Sequence, residues 1–105
     1  MKRPVVLHES AQADIDEALA FYEREAPHVK PGFIDALEAA VTAIRRAPSE
    51  ASPRFAHELS WPGLRTLALK AFPYTVFFVE QPRQLAIIRV LHQSRDLAAL
   101  FGDEE

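Results

Sequence analysis

Four side chains in the second half of the chain have types and positions that could do chemistry: Arg65, Arg89, His92 and Arg95. Arginine keeps its charge at any relevant pH and binds carboxylate or phosphate through a planar, two-point fork. Histidine changes charge near neutrality and serves as acid, base or hydrogen-bond partner. Together the four predict a cationic surface for an acidic partner or for phosphate. A structural reading of the same residues stands beside it. An arginine within an apolar strand is costly unless it is paired or at the sheet margin. On that reading Arg89 pairs with a carboxylate such as Glu58 or Glu80. A histidine at a strand end is, more often than not, a hydrogen-bonded structural residue.

Other chemistries find little support. The chain has no cysteine, which excludes disulfides, thiolate metal sites and a cysteine nucleophile. His8, His28 and His57 are isolated, and no histidine pair has zinc-helix spacing, so no metal site is expected. With three glycines there is no phosphate-cradling loop, and no serine sits in a hydrolase elbow. No cofactor is expected. Lys2 and Arg3 precede only Val5-Val6-Leu7, too short for a signal peptide, and no run approaches a membrane span. The absence of cysteine is compatible with the cytosol. A net charge of −3 argues against binding nucleic acid mainly through phosphates.

The elements that must position the four residues are legible. A length of 105 residues, 49% hydrophobic and 26% charged, predicts one ordinary globular domain over residues 1–105. Pro4 to His8 reads as an opening strand. Ser10 is placed to cap a first helix, with Asp14, Asp16 and Glu17 in its early turns, where the dipole favours negative charge. Ile15, Ala18, Leu19, Tyr22 and Ala26 form its apolar stripe, and Pro27 ends it. A second helix opens at Lys30-Pro31-Gly32, carries Phe33, Leu37, Ala40, Val41 and Ile44, and stops at Pro48. Residues 48–62 read as an irregular connection that packs on the body through Phe55, Leu59 and Trp61. Three strands follow, at Leu64 to Lys70, Thr75 to Val79 and Leu85 to Leu91, the last two joined by the turn Glu80-Gln81-Pro82-Arg83. A short helical turn is expected from Leu97 to Phe101, then an acidic tail. The result is an α+β domain, β-α-α-β-β-β, with a helix hairpin on one face of a mainly antiparallel sheet. Leu85 to Leu91 is apolar at nearly every position, which calls for cover on both faces. The hairpin covers one, and part of the other is expected to be open to a partner.

The order and spacing of several short motifs resemble the ParE/RelE superfamily of toxins from bacterial type II toxin–antitoxin pairs. These are Ala13-Asp14-Ile15 with Tyr22, Phe33 with Leu37, Gly63-Leu64-Arg65, Phe72-Pro73-Tyr74, Val90-Leu91-His92 and Arg95-Asp96. The resemblance spans Val5 to Leu100, and Phe72-Pro73-Tyr74 with His92 and Arg95-Asp96 look more like the ParE branch. It implies a small cytoplasmic toxin, neutralised in a complex with a cognate antitoxin, that inhibits DNA gyrase and is not an enzyme. On that reading Arg65, Arg89, His92 and Arg95 bind the target. The RelE-like alternative is a ribosome-dependent messenger RNA endoribonuclease. There the three arginines would stabilise the phosphorus centre and His92 would act as acid or base. The terminal tyrosine of several RelE-like nucleases is missing, since the segment after Arg95 offers only Phe101. A third alternative is a non-toxic member that only binds an antitoxin.

Overall fold

The computed structural model describes residues 3–95. Strand β1 (Val5–Leu7) leads at once into helix α1 (Glu9–Glu25). Ser10 was expected to cap this helix, but it lies inside it. His8 is the cap, and its Nδ1 accepts the Ser10 amide at 3.1 Å. The unpaired first-turn amides require only an acceptor within reach, and an imidazole nitrogen serves as well as a hydroxyl. Helix α2 (Lys30–Arg46) opens with Pro31 in its first turn, as the sequence predicts, and closes on Arg45 and Arg46.

The segment expected to be irregular holds a 3-10 turn at Pro48–Glu50 and a five-residue helix, α3 (Arg54–Glu58). One turn of helix flanked by prolines offers almost no periodicity to read. Strands β2 (Leu64–Ala68), β3 (Tyr74–Glu80) and β4 (Leu85–His92) then form an antiparallel meander. β1 adds to β4 in parallel, giving the order β1-β4-β3-β2. The helical turn expected at 97–101 lies outside the described residues.

The helices and the sheet enclose the main core, with Ile15, Phe33, Ile44, Val76, Phe78, Leu85, Ile87 and Val90 buried. Removing such side chains from water is worth roughly 1.5–3 kcal/mol each, which sets the sheet against the hairpin. The opposite face is less open than expected. Leu64, Phe77 and Leu91 form a second, smaller core, roofed by Phe55, Ala56 and Leu59 of α3 and its end. Three large apolar side chains on one sheet face are too costly to leave in water, and α3 is the nearest chain able to cover them.

β4 supplies both cores, as an alternating strand does, and it is bulged. Phe77 pairs with Arg89 and Phe78 with Ile87, so Ile88 is one residue too many for its partner strand. Before the bulge Leu85 and Ile87 face the helices. After it Val90 does, while Leu91 joins the second core. A bulge bends and twists its strand and re-aims the side chains beside it.

Candidate functional site

Arg89 sits beside the bulge and reaches α1. Its Nε donates to Asp14 Oδ2 at 2.7 Å and its Nη2 to Asp14 Oδ1 at 2.9 Å, the fork expected of a strong arginine–carboxylate pair. The partner is on α1 and is neither Glu58 nor Glu80. Asp14 has a second task. Its Oδ2 also accepts the Val90 amide at 2.9 Å. β1 is so short that its last bond to β4 is His8 N–H to the Ile87 carbonyl. Beyond it the outer edge of β4 has no strand, and the carboxylate of α1 stands where a strand carbonyl would. Asp14 is only 9% exposed, so the pair is largely removed from water. The Asp14 hydrogen bond holds the Arg89 guanidinium above its ordinary range, with burial opposing and the charges of Asp14 and Glu17 assisting.

Arg65 has a different role at another place. It donates to the carbonyls of Ala51 at 2.8 Å and Ser49 at 3.2 Å, and its Nε stands 4.0 Å from Glu80 Oε1. Glu80 is bound more closely by Arg3, at 2.6 Å. Arg65 pairs across the sheet with Phe78, whereas His92 pairs with Tyr74, at the other end of β3. The cationic surface expected of four residues is therefore not one surface. Arg65 ties down the connection after α2, Arg89 ties β4 to α1, and His92 and Arg95 remain together at the far end of β4.

That end is a cleft of about 420 Å³ between α1 and the ends of β3 and β4. Aromatic rings line it. Phe21 and Tyr22 meet edge to face at 5.3 Å, Tyr22 lies 6.3 Å from Tyr74, and Tyr74 meets the His92 ring at 5.2 Å. Tyr22 and Tyr74 also pack on Phe33, so the wall continues into the main core. The Phe72-Pro73 bend sets the cleft's corner: the Tyr74 amide donates to Phe72 O and the Gln93 amide to Pro73 O, both at 2.8 Å. Ala71 reaches this bend through a left-handed backbone, φ 66°, a strain that non-glycine residues rarely carry.

His92 is oriented by its own turn. Its Nδ1 accepts the Ser94 amide at 3.1 Å and lies 2.8 Å from Ser94 Oγ. An Nδ1 that accepts an amide leaves the proton of the neutral ring on Nε2, so His92 carries an N–H donor on its outer nitrogen. Arg95 and Glu17 are exposed and line the same cleft. Burial raises the Tyr74 phenol above its ordinary 10.0, Tyr22 and Glu17 add to the rise, and Arg95 opposes it. Among the described residues no three His, Asp or Glu side chains stand close enough to hold a metal ion, and no helix is long and apolar enough to cross a membrane.

Asp14, Glu17, Tyr22 and Tyr74 were not among the candidate site residues. Asp14 carried a usable signal. It lies three residues after Ala11 and four before Ala18, both buried, so it is a carboxylate on the inward side of α1 and needs a partner there.

The fold is a helical hairpin on a small, mainly antiparallel sheet, with a charged cleft at one end. It is shared with a solved structure described as the chromosomal ParDE TA system from P. aeruginosa, with a TM-score of 0.71, 20% sequence identity, and coverage of 86% of this chain and 95% of that one. No curated protein matches the sequence significantly. Residues 5–97 match the family described as ParE toxin of type II toxin-antitoxin system, parDE. The chain belongs to that family.

Proposed function

We propose that this protein is the toxin of a type II toxin–antitoxin pair, that it inhibits DNA gyrase, and that a cognate antitoxin holds it in check in the cytoplasm. One observation carries the choice of gyrase over RNA cleavage: the arginines a nuclease would need are committed elsewhere. Stabilising a pentacoordinate phosphorus takes several cations converging on one phosphate. Arg89 is neutralised by Asp14 and Arg65 binds backbone carbonyls at the other end of the sheet. His92 and Arg95 are left, with the Glu17 carboxylate in the same cleft. The net charge of −3 points the same way. His92 and Arg95 contact the target, and Arg65 and Arg89 act by holding the fold.

We assign the antitoxin to the β1 edge of the sheet, whose groove borders the cleft at Val90. β1 is an edge strand whose outer side has no neighbour in the sheet, and Val6 and Leu7 are 40% and 41% exposed. Beside it lies a groove of about 480 Å³, walled by Leu7, Ile15, Leu37, Val41 and Ile87. An antitoxin segment adding a strand to β1, with apolar side chains in that groove, would cover both. The test has two parts. The purified protein should block supercoiling by gyrase and raise a DNA-damage response on induction. Co-expression with the product of the adjacent small reading frame should relieve both. Cleavage of translated messages with gyrase unaffected would select the RelE-like reading instead.

A further inference from the structure

The cleft that holds His92 and Arg95 contains a charge that a phosphate site would not keep. Glu17 is exposed at its rim, on the helix wall, and Arg95 is exposed on the strand wall. No hydrogen bond or ion pair joins either side chain to another described residue, although both act on the Tyr74 phenol, in opposite senses. Two opposite charges therefore flank a ring-walled cavity without neutralising one another. The rings suit a cation as well. Arg24 already sits 5.9 Å from the centre of the Phe21 ring, and Phe21 is 45% exposed.

From this arrangement we infer that Glu17 is a specificity-determining contact, and that the cleft takes a peptide segment of the target presenting an arginine or lysine to Glu17 and a carboxylate to Arg95. The inference rests on the target-binding role proposed for this cleft. A nucleic-acid strand is the poorer fit, because each phosphate drawn to Arg95 would be repelled by Glu17 in the same cavity. A segment carrying both signs meets both walls, and its long basic side chain lays its methylenes on Phe21 and Tyr22. Two contacts of opposite sign also fix the direction in which the segment lies, which one charge does not.

The experiment compares the parent protein with Glu17→Gln, Glu17→Lys and Arg95→Gln in gyrase supercoiling, in growth arrest on induction, and in binding to a labelled DNA duplex and a labelled single-stranded RNA. Both positions are exposed, so melting temperatures should match the parent. The expected result is inhibition weakened about tenfold by Glu17→Gln and Arg95→Gln and further by Glu17→Lys, with no gain in nucleic-acid binding from Glu17→Gln. Stronger inhibition by Glu17→Gln, or nucleic-acid binding that rises as Glu17 is neutralised, would make the cleft a phosphate site and overturn the inference. Loss of activity in Arg95→Gln with both Glu17 variants unchanged would also overturn it, while leaving the toxin reading intact. A parent protein that arrests nothing and inhibits no gyrase would end the target reading, and the inference with it.

Discussion

Asp14 and Arg89, 75 residues apart in the chain, meet in a two-point ion pair of 2.7 and 2.9 Å, and the same carboxylate accepts the Val90 amide. A helix side chain thus completes the edge of a strand. The cleft lies immediately past this junction, since Asp14 and Val90 are part of its lining. What joins α1 to β4 therefore also sets the distance between Glu17 on one wall and His92 on the other.

Removing either partner should unfold more than it disarms. Arg89→Ala leaves a largely buried carboxylate unpaired, and Asp14→Ala leaves both the guanidinium and the Val90 amide without their acceptor. The expected cost is about 3 kcal/mol for each, read as a fall of roughly 12–24 °C in melting temperature. Thermal melts of the two variants and of the double variant would show it. Single variants that melt with the parent would mean that the pair contributes nothing to stability.

Arg65→Ala should cost about 2 kcal/mol, because two backbone carbonyls lose a charged donor. At matched amounts of folded protein its growth arrest should equal that of the parent. Lost arrest in a variant that melts normally would instead return Arg65 to the target surface.

For His92 two substitutions separate structure from contact. Asparagine can keep an acceptor near the Nδ1 position for the Ser94 amide, whereas alanine cannot. His92→Asn should melt close to the parent and still lose inhibition, because the outer Nε2–H is gone. His92→Ala should lose inhibition and about 1 kcal/mol of stability as well. Full inhibition by His92→Asn would leave the ring with a purely structural role.

Alkali should destabilise the fold through the cleft's own tyrosines. Tyr74 and Tyr22 both have phenols raised above 10.0 by burial, and Tyr74 is raised further by Tyr22 and Glu17. A raised folded-state value means that the stabilisation is complete below the unfolded value of 10.0 and is lost as pH climbs through the folded one. Chemical denaturation across that range should show the decline, and Tyr74→Phe should lessen it. In a tyrosinate absorbance titration Arg95→Gln should move Tyr74 upward and Glu17→Gln downward. Identical titrations in both variants would place their charges too far from the phenol to act.

Leu7→Glu puts a charge on the exposed edge strand without touching the buried core. Antitoxin association should weaken more than tenfold while gyrase inhibition is unchanged. Isothermal titration with the adjacent frame's product decides it. Undiminished affinity would mean that the antitoxin sits elsewhere.

The parts of the fold that were legible in the sequence are those written locally. Ile15, Ala18 and Tyr22, then Phe33, Ala40 and Ile44, repeat at helical intervals, and Pro27 and Pro48 mark where they stop. The β-branched runs of β3 and β4 and the turn between them are equally local. The α+β order followed from these, and with the motifs at Gly63-Leu64-Arg65 and Phe72-Pro73-Tyr74 so did the family. The site was legible only in part. His92 and Arg95 share a cleft, but nothing in the spacing of Arg65 and Arg89 tells that one binds the Ala51 carbonyl and the other Asp14. Those partners depend on how distant segments pack. Helix α3 escaped for the opposite reason, being too short for its pattern to repeat.

Side-chain parity along β4 changes once, at Ile88. With strict alternation from Leu85 and Ile87, position 92 would fall on the face of Phe77 and Leu91, away from Tyr74. The surplus residue reverses the count, so that His92 stands on the helix side opposite Tyr74. Membership in the cleft is thus decided by an odd or even number of residues as well as by residue type. Substitutions at Ile88 can alter how the second core fills, and they leave that count as it is. A one-residue deletion at Ile88 would take out the surplus residue and restore plain alternation, with Leu85, Ile87, Val90 and His92 all on the helix side. The bulge is how a strand one residue longer than its partner requires still delivers His92 to the cleft.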